Sequence, residues 1–224
     1  MTYTPDERFA WFLEEFGEPN KQQDVSQETV SFYRNKLPNQ LLTYWKYYGF
    51  CSFKDGLFSI VNPDDYKVTK DIWLGETQIA EKDEYHVIAK TGYGDLLLWG
   101  ERSGNDFTIT PRNAEIFSSK GEAKRISEGK SDEAMQGFFA TKAPERVDKK
   151  DVDTGKPIFD DAVKKFGSLA TDEMFTFEPA LFLGGEQTLK TVNKVNIFVQ
   201  LELLAKMGTP QIMDINGLAK KAFG

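Results

Sequence analysis

Residues 85–99 read YHVIAKTGYGDLLLW, and residues 107–117 read FTITPRNAEIF. Short runs rich in β-branched and aromatic residues are separated here by turn formers: Thr91-Gly92-Tyr93-Gly94, Ser103-Gly104-Asn105-Asp106 and Pro111-Arg112-Asn113. This spacing predicts strands at Tyr85–Lys90, Leu96–Trp99, Phe107–Thr110 and Glu115–Phe117, joined in sequence as a β-meander, so the sheet is expected to be antiparallel. A further strand, Leu57–Val61, follows the turn signature Lys54-Asp55-Gly56.

Upstream of the strands the period is helical. Phe9, Phe12, Leu13 and Phe16 fall at i, i+3, i+4 and i+7 between Pro5 and Gly17, one apolar stripe with a natural C-cap. Ser26 can cap a second helix, with Val30 and either Tyr33 or Phe32 facing inward, ending before Pro38. A third helix then carries Leu41, Leu42, Trp45 and Tyr48 to Gly49. Asn62 or Asp64 can cap a short helix through Trp73, and residues 75–84 read as a charged, solvated connection.

Downstream, Ser118 to Gly129 is polar, Ser131 caps a helix to about Ala140, and Lys142 to Lys156 is a charged linker. Pro157 opens a helix with Ile158, Phe159, Ala162, Val163 and Phe166, ended by Gly167. Glu173–Phe177 suits a strand, and a last helix runs from about Asn193 to Met207. The expected class is α+β: N-terminal helices packed on an antiparallel β-meander, then a smaller, mainly α C-terminal domain. The expected division is residues 1–118, a charged connection with one helix over 119–156, and a second domain over 157–224.

Of the 224 residues, 28% are charged and 30 are Phe, Trp or Tyr, too many large rings for a disordered chain. No apolar run approaches the roughly 20 residues that span a bilayer. The opening Met1–Glu7 lacks the basic and apolar stretches of a signal peptide, so a cytoplasmic location is expected. A single cysteine, Cys51, agrees with a reducing compartment. The net charge is −7, and residues 64–84 hold seven acids against three bases. Such a surface repels phosphate backbones and favours a basic protein partner over nucleic acid.

Enzyme chemistry finds little support. His86 is the only histidine and sits in a strand; Cys51 lies among aromatics and reads as a packed thiol. One His and one Cys cannot build a zinc site without carboxylates, and the adjacent pairs Asp64-Asp65 and Asp160-Asp161 diverge by about 100° on a helix. Gly92-Tyr93-Gly94 lacks the following helix of a dinucleotide fingerprint, and Gly184-Gly185 precedes no Lys-Ser/Thr. No cofactor, metal or catalytic residue is assigned.

The segments FAWFLEEFG (9–17), LPNQLLTYWKYYGF (37–50) and DGLFSIVNP (55–63) resemble GAD-like domains, with an echo of the SUKH-type immunity superfamily. The segments FDDAVKKFGSL (159–169) and FEPALFLGG (177–185) resemble the C-terminal domain of type VI secretion immunity proteins. The resemblance implies a cytoplasmic immunity protein that neutralises a secreted nuclease toxin, a DNase, without catalysis, by occluding its basic cleft or by gripping an exosite. Relatives often carry a histidine in the last helix, near Phe198 to Leu201; this chain has none. The candidate toxin-binding residues are Asp64, Asp65, Asp71, Glu76, Glu81, Asp83 and Glu84, with Tyr66, Trp73 and Tyr93 as aromatic anchors. The same acidic face would also suit an adaptor with an endogenous protein partner, and a carboxylate-based enzyme is the third reading.

Overall fold

A computed structural model describes residues 3–75, 77–119 and 121–214. The chain runs α1 (Glu7–Phe16), β1 (Asn20–Gln23), α2 (Gln27–Tyr33), α3 (Asn39–Tyr48), β2 (Phe50–Phe53), β3 (Phe58–Ile60), α4 (Lys67–Leu74), β4 (Tyr85–Thr91), β5 (Leu96–Gly100), β6 (Phe107–Thr110) and β7 (Glu115–Ser118). It continues through α5 (Ala123–Ser127), α6 (Ser131–Ala140), α7 (Pro144–Val147), α8 (Phe159–Phe166), β8 (Glu173–Phe177), β9 (Val192–Asn196), α9 (Ile197–Met207) and β10 (Gln211–Asp214). The class is α+β, with the meander and the longer helices where the spacing put them; α5 and α7 are short helices in stretches expected to be a polar boundary and a charged linker.

Strands β1 to β7 pair in sequence order, each antiparallel to the next, and β10 closes the far edge parallel to β7. β8 and β9 form a separate antiparallel hairpin. Four strands lie outside the expected set. β2 is buried along its whole length, so no polar alternation marks it. β1 and β9 are polar, and Gln211 and Ile212 of β10 are exposed. The final helix accordingly begins at Ile197, where the Asn196 side chain accepts from Val199 N at 3.2 Å as an N-cap. Residues 192–196 are its preceding strand. In α2 it is Tyr33 that turns inward, while Phe32 stands exposed with the Lys36 ammonium over its ring.

Helices cover both faces of the sheet. Along β5 successive side chains alternate: Leu97 and Trp99 face one core, Leu96 and Leu98 the other. The first core is filled by the stripe predicted for α1, with Phe9 stacked on Tyr44 at 3.9 Å and Phe12 edge-on to Phe139 at 5.2 Å. The second is closed by Trp73 of α4 and by Ile197, Leu201 and Leu204 of α9. Residues after 157 enter both: Phe159 and Phe175 pack in the first core, Met174 and Leu201 in the second.

The turn after β4 is the seat for this later segment. Its Gly92 carbonyl accepts from Phe175 N at 2.8 Å, and the Phe159 ring lies so close that a Cβ on Gly92 would stand 2.5 Å from it. Beside it, Asp95 is buried with Arg112 in direct ion pair and Lys149 at 3.5 Å, tying the meander to the segment after α7.

Candidate protein-binding site

The acidic segment begins in the turn after β3. The Asn62 side chain accepts from Asp64 N, and Pro63 fixes the entry, so Asp64 and Asp65 project outward while Tyr66 turns in. Asp64 accepts a 2.6 Å hydrogen bond from Tyr33 Oη, and burial plus this carboxylate push the Tyr33 hydroxyl above the ordinary phenol range. Burial, then the Asp64 charge, raise the Asp65 carboxyl.

On α4 and beyond, the Lys70 ammonium sits between Asp71 at 3.0 Å and Glu84 at 3.4 Å. Asp64, Asp65, Asp71, Glu81 and Glu84 are therefore exposed acids flanking one helix. Glu76 lies outside the described residues.

The remaining candidates are placed inside. Asp83 accepts from the main-chain N of Arg102 and of Ser103, both at 2.8 Å, and from Ser103 Oγ. Burial works against its charge, but these hydrogen bonds outweigh it and hold the carboxyl below its usual range. Trp73 donates Nε1 to Leu201 O at 3.2 Å, and Tyr93 donates its hydroxyl to Asp148 at 2.7 Å. Trp73, Tyr93 and Tyr66 are each no more than 2% exposed, because a large ring buries more area at the α4–α9 and turn packings than it could at a surface.

Several hollows border the acidic segment, one of them, of about 210 Å³, lined by Asp71, Asp83 and Glu84 themselves; two others bring in residues from elsewhere in the chain. One, of about 290 Å³, lies between α2 and β4, lined by Phe32, Lys36, Lys67 and His86 among others. There His86 Nε2 is 3.0 Å from Glu101 and its ring meets Tyr33 edge-on. The other, about 60 Å³, lies where the turn after β3 meets the α8–β8 loop and α9; its walls include Asp65, Tyr66, Lys90, Asp172 and Phe198. Lys90 is fully buried, donates to Glu173 O at 2.8 Å, and is lowered to about 8 by burial, against the pull of Asp172 and Glu173. Asp172 carries no sequence signal: it is one polar residue in a short loop.

Burial pushes the Cys51 thiol up to about 12, which leaves almost no thiolate at neutral pH. Among the described residues no three His, Cys, Asp or Glu side chains converge as a metal site, and no helix is long and apolar enough to cross a membrane. Apolar side chains stand exposed at i, i+4 and i+8 on α9 (Val199, Leu203, Met207) and at i, i+4 on α4 (Val68, Ile72), two helices that pack together.

Residues 7–113 match the family model of the GAD-like domain, and residues 132–208 match that of the C-terminal domain of the T6SS immunity protein Tdi1. Among solved structures, the crystal structure of Atu4351 from Agrobacterium tumefaciens aligns with a TM-score of 0.77. It covers 93% of this chain and 92% of that one at 21% identity, a likeness of fold. No curated protein matches the chain.

Proposed function

We propose that this chain, a GAD-like domain followed by a Tdi1-type immunity domain, is an immunity protein that binds and neutralises a cognate toxin delivered by type VI secretion. The observation that carries the reading is the occurrence of both family matches, in that order, in one chain. The toxin is a DNase, and the chain acts on it in the cytoplasm by binding, without catalysis of its own.

The chemistry of the partners supports this assignment. A nuclease holds phosphates and so presents Lys and Arg. Exposed acids along α4 steer such a surface into encounter, and apolar side chains on α4 and α9 supply the desolvated area that slows dissociation. Trp73 and Tyr93 do not belong to this surface: Trp73 holds α4 to α9, and Tyr93 is packed in the other core against Phe159 and Phe177.

Co-expression with the toxin encoded beside this gene tests the function: cells carrying both should survive, and toxin alone should kill. Loss of protection in every such pairing overturns it. For the mechanism, reversing Asp64, Asp65, Asp71, Glu81 and Glu84 to Lys should slow association with a catalytically dead toxin at least tenfold at low salt, with the difference shrinking as salt rises. Stopped-flow rates that ignore both the reversal and the salt would remove the steering role.

A further inference from the structure

The smaller hollow carries an unbalanced set of polar groups. Asp65 and Asp172 lie on its wall, and neither is in an ion pair among the described residues. Asp65 receives only a long 3.4 Å hydrogen bond, from Asn62 Nδ2, and Asp172 receives Asn196 Nδ2 at 3.0 Å. Among the described residues the one cation on the wall is Lys90, whose ammonium is already engaged by Glu173 O. Two carboxylates against one ammonium leave the hollow one positive charge short.

A second observation points the same way. The Tyr66 hydroxyl is buried and has no hydrogen-bond partner among the described residues, a costly state that a ligand donor would relieve. Burial, then the Asp65 and Asp172 charges, hold that phenol in its neutral form, so it can accept a hydrogen bond. Its ring packs against Phe198 with centroids 5.1 Å apart and planes tilted by 47°, so both rings contribute aromatic surface to the wall.

We propose that this hollow receives the guanidinium of an arginine projecting from the partner protein. The planar, five-donor head matches two carboxylates and a phenol oxygen at once and can stack on the Phe198 ring, which a compact ammonium cannot do as well. The exposed Val68 of α4 and Val199 of α9 stand next to this end of the two helices, so the arginine enters where apolar area is also available. The inference rests on the immunity reading for the identity of the partner, not for the existence of the pocket.

The full-length chain can be titrated with N-acetyl-argininamide, followed by amide chemical shifts, alongside the lysine, citrulline and glutamate analogues. Saturable shifts around Asp65, Tyr66 and Asp172 are expected, with binding about three-fold or more tighter for arginine than for lysine and none for citrulline. Asp65→Asn with Asp172→Asn, both at exposed positions, should weaken binding at least about tenfold with unchanged circular dichroism. Tyr66→Phe should weaken binding while raising the urea midpoint, because it deletes an unpaired buried hydroxyl. Binding of the glutamate analogue instead would assign the hollow to Lys90 and overturn the proposal, as would no saturable shift up to about 50 mM arginine analogue. If the chain protects cells but the double variant protects equally and the analogue does not bind, the pocket fails and the function stands. If the analogue binds but the chain protects against no toxin, the pocket stands and the function fails.

Discussion

Asp95 sits where a carboxylate costs most to leave alone. It is buried between Arg112 and Lys149, and although burial acts to raise its pKa, those two cations and the Thr91 hydroxyl outweigh it and keep it below the usual range. Asp95→Asn should cost about 3–5 kcal/mol in urea unfolding, because it strands buried cations. Lys149→Met should cost less, since Arg112 still answers the carboxylate. Lys90 provides the pH signature. Its folded pKa of about 8 lies below the roughly 10.4 of an unfolded lysine, so between those values the unfolded chain holds more protons. Stability from this group therefore rises with pH from about 8 to 10 and is lost as pH falls back across that window. Lys142, lowered to about 8 by burial and then by Arg146, acts in the same sense. Because burial raises the Cys51 thiol and several tyrosines, which act in the opposite sense over this range, the comparison is with Lys90→Met: between pH 7.5 and 10 the natural chain should gain about 2 kcal/mol on the variant, read from urea midpoints.

At the scale of the element, α1 depends on one side chain more than on its stripe. Asp6 caps the helix by accepting from Phe9 N, and the same carboxylate takes the hydroxyl of buried Tyr44 and the amide of Gln40. Asp6→Ala should remove a cap worth about 1 kcal/mol and leave a buried hydroxyl unpaired at about 1–3 kcal/mol more. Asp6→Asn, which keeps an acceptor, should restore much of that loss; the denaturation midpoint reads both. The longer helices and the meander were legible in the sequence because their signals are local: apolar spacing, capping residues, turn formers; α5 and α7, one turn each and without a side-chain cap, were not. β1, β2, β9 and β10 were not, because each is defined by its partner. β2 is wholly buried and lacks a period of two, and β9 reads as the start of α9 until β8 is seen to pair with it. The exposed acids along α4 could be read from charge alone. Asp83 could not be separated from them, since only the fold brings Arg102 and Ser103 to its oxygens, and Asp172 joins Asp65 only through the packing of α9 on the turn after β3.

Across the whole molecule the two family matches are not two independent cores. Phe159, Phe175 and Phe177 complete the core begun by α1 and α3, while Met174, Leu201 and Leu204 complete the one beneath α4. A single cooperative unfolding transition is expected, with coincident near- and far-ultraviolet circular dichroism; two resolved transitions would contradict this shared packing. Gly92→Ala tests the junction. The added methyl would meet the Phe159 ring at 2.5 Å and the Gly56 carbonyl at 3.0 Å, and should lower stability by about 1–3 kcal/mol. The tight fit of Gly92 beneath Phe159 also bears on descent. Recombination that grafts a new back half onto this front half must bring a ring and a backbone that match the same crevice, so inheritance of the two halves should be coupled, and diversification toward new toxins should fall instead on outward-facing helical side chains, which can change without reopening that fit.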